Sequence, residues 1–217
     1  MIELNDIFFA YDNTQVLKGI NLKVEKGEII SIVGASGAGK TTLLHILGTL
    51  EKPQKGDYLI NNNSVIDLDS NQLAKFRNLE VGFIFQFHNL LAEFTAFENI
   101  CLPGYISKRK RLDVEKRATE LLEILGISDK KNQKPNQLSG GEQQRIAIAR
   151  ALINSPSIIL ADEPSGNLDS KNAENLHELF IKLNKELNQT FIIVTHNKHL
   201  ASMTDRSLEI IDGKFIA

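Results

Sequence analysis

A single cysteine, Cys101, stands among the 217 residues. An internal disulfide is therefore impossible and a zinc cluster built on several thiolates is excluded; a buried apolar thiol is the role left to it. The longest uninterrupted apolar run, Ile7 to Tyr11, has five residues, far short of the roughly 20 that a membrane-spanning helix needs. Met1-Ile2-Glu3-Leu4-Asn5-Asp6 lacks the basic start, apolar centre and small-residue cleavage site of a secretory signal, so cytoplasmic residence is expected. Nor is there a surplus of cations: 25 Lys and Arg face 27 Asp and Glu, a net charge of −2. A grip on a phosphodiester backbone is disfavoured, and no nucleic-acid partner is expected. No stretch repeats at a fixed period, and the one short low-complexity string, Asn61-Asn62-Asn63, reads as a hairpin turn.

What is present is a core of 42 % hydrophobic residues, enough at this length for one compact domain with a lobe. Ile20, Leu22 and Val24 alternate with polar residues, the pattern of a half-buried antiparallel strand, so the first part of the chain reads as a β-rich subdomain. Ile29–Val33, Val81–Phe85, Ile158–Ala161 and Phe191–Val194 are short, nearly continuous apolar runs, which is how strands covered on both faces read. Helical spacing recurs at Val114, Ala118, Leu121, Leu122 and Leu125, with Gly126 as a terminator, and again at Leu176, Leu179, Phe180, Leu183 and Leu187. Strands alternating with helices predict an α/β fold with a mainly parallel sheet. Between residues 86 and 135 there is little sheet signal, so this segment is expected to be a mostly helical lobe inserted between core segments 1–85 and 136–217.

Gly34-Ala35-Ser36-Gly37-Ala38-Gly39-Lys40-Thr41 satisfies G-x-x-x-x-G-K-[ST] and sits between an apolar strand and the helical run from Thr42 to Leu47. Glycines let successive backbone N–H groups converge on phosphate oxygens, and the helix start adds the positive end of its dipole. Lys40 would reach the β- and γ-phosphates and Thr41 would place its hydroxyl on Mg²⁺. The run Ser157 to Glu163 is an apolar strand ending in two carboxylates, at the end of the sheet where α/β proteins bind ligands. Asp162 would hold Mg²⁺, and Glu163 would polarise the attacking water as general base. Leu138-Ser139-Gly140-Gly141-Glu142 precedes another helical pattern and makes a second helix start suited to an anion. One nucleotide seldom needs two such cradles from one chain.

Together these residues resemble the ATP-binding-cassette ATPases, P-loop nucleoside triphosphatases whose signature reads LSGGQ or LSGGE; the likeness spans essentially the whole chain. It implies an ATP- and Mg²⁺-dependent ATPase acting as a head-to-tail homodimer, in which Ser139, Gly140, Gly141 and Glu142 of one subunit close over ATP held by residues 34–42 of the other, Thr42 included. It also implies Tyr11 as the aromatic on which adenine stacks. Gln86 becomes the lobe-entry glutamine that senses Mg²⁺ and the γ-phosphate, and His196 the switch histidine. Ser165-Gly166-Asn167-Leu168-Asp169 resembles the loop through which the two subunits touch. The remaining histidines, His45, His88, His177 and His199, match no motif and are expected to be core residues.

Three strings, 82–91, 93–99 and 162–169, are similar to those of the lipoprotein-releasing branch of the family. Closely similar strings occur in macrolide-export and cell-division ATPases, so those partners stay open. Two departures are visible, Ala92 where proline is common and Asn197 where aspartate is usual. Only 21 residues follow His196, too few for the further domain that sugar-importer ATPases carry. The resemblance implies integral membrane permease subunits as partners, and peripheral residence on the cytoplasmic face of the inner membrane. Lys108-Arg109-Lys110-Arg111 is read as a solvated approach to a helix.

Overall fold

The computed structural model describes residues 2–216; Met1 and Ala217 lie outside the described residues. The chain opens with β1 (Ile2–Tyr11) and β2 (Thr14–Val24), then β3 (Ile29–Val33), α1 (Lys40–Leu47), β4 (Lys55–Ile60) and β5 (Asn63–Ser64). It continues through α2 (Ser70–Glu80), β6 (Val81–Phe85), α3 (Ala96–Ile106), α4 (Arg111–Ile124) and two 3-10 turns to α5 (Gly140–Leu152). β7 (Ile158–Asp162), α6 (Ser170–Leu187), β8 (Phe191–Val194), α7 (Lys198–Ser202), β9 (Arg206–Ile211) and β10 (Lys214–Ile216) complete it. Between β6 and α5 the described residues form helices and turns and no strand.

Two sheets result. An antiparallel one has the order β2-β1-β4-β5; the other has the order β10-β9-β3-β8-β7-β6 and is parallel apart from β10. Asn61 and Asn62, both at positive φ, make the turn between β4 and β5, as the asparagine string leads one to expect, because asparagine tolerates the left-handed region.

The four apolar runs are the adjacent strands β3, β8, β7 and β6, the last at one edge of the sheet, and their near-continuous character follows from burial on both faces. Ile30, Ile32, Ile158, Leu160, Ile192 and Val194 point into one core with α1 and the antiparallel sheet. Their neighbours Ile29, Ile159, Ala161, Phe191 and Ile193 point into a second core with α3, α4, α5 and α6. Each such side chain, fully buried, stabilises the fold by about 1.5–3 kcal/mol relative to exposure. β9 and β10 escape the periodicity because few of their side chains are buried: in β9 only Ile210 is.

Helix starts follow from local chemistry. Thr95 and Glu98 form a capping box ahead of α3, Ser139 and Glu142 another ahead of α5, and Asp169 caps α6. Cys101 lies fully buried on α3, and burial first of all pushes its thiol pKa up. The histidine expectation needs correction. His88 and His177 are buried and His45 is half-buried, but His199 is exposed, its ring 6.0 Å from that of His177. α7 is a single short turn and presents that side chain outward.

The contact between α6 and β8 joins a helix of the second core to the parallel sheet. Phe180, fully buried on α6, meets Phe191 of β8 edge-on with ring centroids 5.4 Å apart. Phe180→Ala removes that ring from a site with little room to collapse and should cost about 3–5 kcal/mol. Urea denaturation followed by circular dichroism measures it; a loss under 1 kcal/mol would mean that this contact does not anchor α6.

Candidate functional site

In the parallel sheet, Ile32 pairs with Val194, Val194 with Asp162, and Asp162 with Phe85. Four strand ends therefore lie side by side, and the residues that follow them line one cavity of about 470 Å³: Gly34, Ser36, Gly37, Gly39, Lys40, Thr41 and Thr42 after β3, Gln86 after β6, Asp162 and Glu163 at β7, and His196 after β8.

The loop between β3 and α1 is built for close approach. Gly39, the residue before α1, sits at φ 106°, and a Cβ there would meet Leu17 Cδ2 at 2.9 Å. Only glycine fits both demands. No side chain caps α1, so the N–H groups of its first turn face the cavity mouth as donors for an anion. Lys40 Nζ donates to the carbonyls of Gly34 and Ala35, both at 2.8 Å, which keeps its charge on the loop. The Ala38 N–H bonds back to Ala35 O at 3.2 Å, and Ala35 and Ala38 shape this turn without lining the cavity.

Adjacent residues on a strand point to opposite faces, yet Asp162 and Glu163 share the cavity. The reason lies in the backbone: Glu163 adopts φ 44°, left-handed and uncommon for a side chain of its size. It is held there by its N–H on Val194 O at 2.9 Å and by the Gly166 N–H on its own carbonyl at 3.0 Å. Strain of this kind costs on the order of 1 kcal/mol and gathers at functional positions. The turned carboxylate meets His196 twice, Nδ1 at 2.9 Å and the backbone N–H at 3.3 Å, both on Oε2. Burial, and then the neighbouring Glu163 carboxylate, hold the Asp162 pKa above the usual carboxylate value; His45 and Lys40 act in the opposite direction.

Among the described residues no group of three His, Cys, Asp or Glu could hold a metal ion unaided. That suits Mg²⁺, which takes one or two protein oxygens and completes its shell with water and substrate phosphates. The Thr41 hydroxyl, the Asp162 carboxylate and the Gln86 amide oxygen are hard donors lining one cavity, so the donor set fits.

Other expected site residues lie apart. Tyr11, 45 % exposed at the end of β1 and edge-on to Phe9, does not line the cavity. Ser139, Gly140, Gly141 and Glu142 do not line it either. They form the start of α5, where Glu142 accepts from the Ser139 N–H at 2.7 Å and hydroxyl at 2.8 Å and pairs with Lys130 at 3.2 Å. Those bonds hold the Glu142 pKa low, the Ser139 backbone contributing most. Glu142 is thus engaged inside its own chain. Val16, which also lines the cavity, carried no signal in the sequence, being one apolar residue of an alternating strand. Asn167, which bonds Gln86, sits in a motif read only as a subunit contact.

A family profile described as ABC transporter matches residues 17–166. The chain is 55 % identical over 216 residues to a protein of Cytophaga hutchinsonii named lipoprotein-releasing system ATP-binding protein LolD, spanning 100 % of this chain and 99 % of that one. A protein of the same name from Bacteroides thetaiotaomicron is 53 % identical, at 98 % of each chain. Among solved structures, the dimeric structure of MJ0796, a bacterial ABC transporter cassette, superimposes with a TM-score of 0.89 at 43 % identity, covering 100 % of this chain and 97 % of that one. A dimeric post-hydrolysis state of the same cassette, bound to ADP and Pi, gives 0.88 at 41 % identity, with the same coverage.

The expected roles of these side chains divide binding from chemistry, and that division can be tested. Lys40→Ala removes the cation from the loop and should weaken ATP binding itself, whereas His196→Ala and Glu163→Gln should bind ATP and turn it over slowly. For Glu163→Gln the expected loss is about 10²- to 10⁴-fold, the range of a positioned general base. Titration with a fluorescent ATP analogue, beside steady-state hydrolysis, distinguishes them. Equal loss of affinity in all three variants would contradict the division.

Proposed function

The chain belongs to the ABC transporter family, and on that premise we propose that it is the ATPase subunit of a lipoprotein-releasing system. It is an ATP-binding and ATP-hydrolysing subunit; the finer reading is that dimer closure on ATP drives a separate membrane permease. What carries this reading is likeness from end to end: relatives bearing the lipoprotein-releasing name match the whole chain, not the nucleotide motifs alone. Peripheral attachment to the cytoplasmic face of the inner membrane belongs to the same reading; among the described residues no helix is long and apolar enough to cross a membrane.

In the proposed mechanism ATP lies along the loop after β3. Lys40 exchanges the carbonyls of Gly34 and Ala35 for β- and γ-phosphate oxygens, and the first-turn N–H groups of α1 take the remaining negative charge. Thr41, Asp162 and Gln86 would hold Mg²⁺, which when bound would neutralise phosphate charge. Glu163 accepts a proton as water oxygen bonds to the γ-phosphorus and the bond to the β–γ bridging oxygen breaks, leaving ADP and phosphate. His196, already on Glu163 Oε2, fixes the direction of that carboxylate. Tyr11 stacks on adenine. Ser139, Gly140 and Gly141 reach the γ-phosphate of a second copy, head to tail, which accounts for their distance from the chain's own cavity; Glu142 keeps that helix start in shape.

Residues 86–135 act as the lobe that meets the permease. Phe87, Leu91 and Phe94, which follow Gln86, are exposed, while Leu90 packs against the core. A cavity of about 300 Å³, which these three side chains do not line, is bordered by Phe83, Phe85, Asn89, Pro103 and Asn154 among others. Apolar side chains around a groove suit a short amphipathic helix.

Two outcomes are expected. Lys40→Ala leaves the signature intact and Ser139→Arg leaves the phosphate loop intact, so mixing the two inactive chains within the permease complex should rebuild one composite site and recover part of the ATPase rate. No recovery with heterodimers present would argue against action in trans. Separately, Leu91→Glu and Phe94→Glu should leave ATP binding unchanged and abolish permease pull-down and permease-stimulated hydrolysis, since a charge at an exposed apolar contact would be buried unpaired when the permease docks, which costs several kcal/mol, on the order of one interface anchor. Unchanged association of both would place the docking surface elsewhere.

A further inference from the structure

The loop that follows Glu163 grips the glutamine that enters the lobe. Asn167 Nδ2 donates to the Gln86 backbone carbonyl at 3.0 Å, and Gln86 Nε2 donates to Asn167 Oδ1 at 3.1 Å. The two side chains thus form a reciprocal pair across 81 residues of sequence. Gly166, beside them, has no side chain, and a Cβ there would stand 2.9 Å from Gln86 Nε2. The loop therefore leaves room for the amide to lie against it.

The chemistry of this pair fixes an orientation. A backbone carbonyl can only accept, so the end of the Asn167 amide that faces Gln86 O must be the NH₂. That leaves Oδ1 as the end turned to the Gln86 side chain, and an acceptor there requires the NH₂ of Gln86. The Gln86 amide oxygen is then the end without a claim from Asn167, in a side chain that lines the cavity with Thr41 and Asp162. A cation can be met by that oxygen and not by the NH₂.

We propose that Asn167 is a positioning residue for hydrolysis: it selects, through two hydrogen bonds, the rotamer of Gln86 that presents oxygen to the metal accompanying ATP. This rests on the reading of Gln86 as a metal ligand. Asn167 itself does not line the cavity. Without it, no hydrogen bond favours the orientation that presents oxygen over the one that presents the NH₂.

The test uses Mn²⁺ as the probe, bound with ATP to the full chain in the slow Glu163→Gln background, its affinity read from the free-ion electron paramagnetic resonance signal. Asn167→Leu, close in size but unable to hydrogen-bond, should weaken Mn²⁺ about 3- to 10-fold, the span that the loss of one net hydrogen bond corresponds to. ATP affinity in EDTA should not change, which also reports that the variant is folded; Asn167→Ala serves as a second truncation. In a Gln86→Ala background the effect of Asn167→Leu should vanish, because a residue acting only through Gln86 has nothing left to orient. In the ligand-free chain, the Gln86 side-chain NH₂ resonances should lose their hydrogen-bond shift in Asn167→Leu. A Gln86→Ala variant that binds Mn²⁺ normally would overturn the metal role of Gln86 and this proposal with it. A Gln86→Ala variant that weakens Mn²⁺ while Asn167→Leu does not would overturn the proposal alone, as would an Asn167→Leu effect that persists without Gln86.

Discussion

The register of the parallel strands decides where each candidate catalytic group can be. Hydrogen bonding between β3, β8, β7 and β6 brings Ile32, Val194, Asp162 and Phe85 into line, and the next residues along each strand supply the phosphate loop, the histidine, the second carboxylate and the glutamine. A slip of one residue in any pair would turn buried side chains of that strand toward the opposite core. The two cores forbid this, since each strand has apolar side chains on both faces: Ile159, Ala161, Phe191 and Ile193 on one, Leu160, Ile192 and Val194 on the other. Packing at the centre thus fixes geometry at the edge, to the accuracy that a reaction on phosphate requires.

That same double burial explains how much could be read from residues alone. Strands β3, β6, β7 and β8 announce themselves as nearly unbroken apolar runs, and α4 and α6 by helical periodicity, α4 with Gly126 as its terminator. The cavity could be foreseen because phosphate chemistry calls for glycine, lysine, hydroxyl and carboxylate at fixed spacing. What escaped was of another kind. β9 and β10 have few buried side chains; Val16 enters the cavity from the far sheet; and the pairing of Gln86 with Asn167 joins two amides whose sequence separation gives no periodic clue. The left-handed backbone at Glu163, which puts two neighbouring carboxylates into one cavity, is likewise a property of the folded turn.

Around Glu163 the following loop is tied to three parts of the molecule. Gln144 of α5 donates to Pro164 O at 2.9 Å, His177 of α6 meets Ser165 Oγ through Nε2 at 3.2 Å, and Asn167 holds Gln86. The first two contacts are buried, where a hydrogen bond is stronger and its loss dearer. Ser139 caps α5, so in the proposed dimer a displacement of that helix start would have a short physical route, through Gln144, to the residue beside Glu163. Burial, the main cause, lowers the His177 pKa, which favours the neutral ring.

The central claim is that two copies of the chain share each nucleotide, the loop after β3 on one side and the start of α5 on the other. Sedimentation of Glu163→Gln at saturating ATP tests it most directly, alone and with Ser139→Arg added, while ATP binding is verified for both. The account predicts a dimer for the single variant that reverts to monomer without ATP, and a monomer for the double variant at every ATP concentration. A monomeric Glu163→Gln chain with ATP fully bound, or an equally strong dimer after Ser139→Arg, would contradict it.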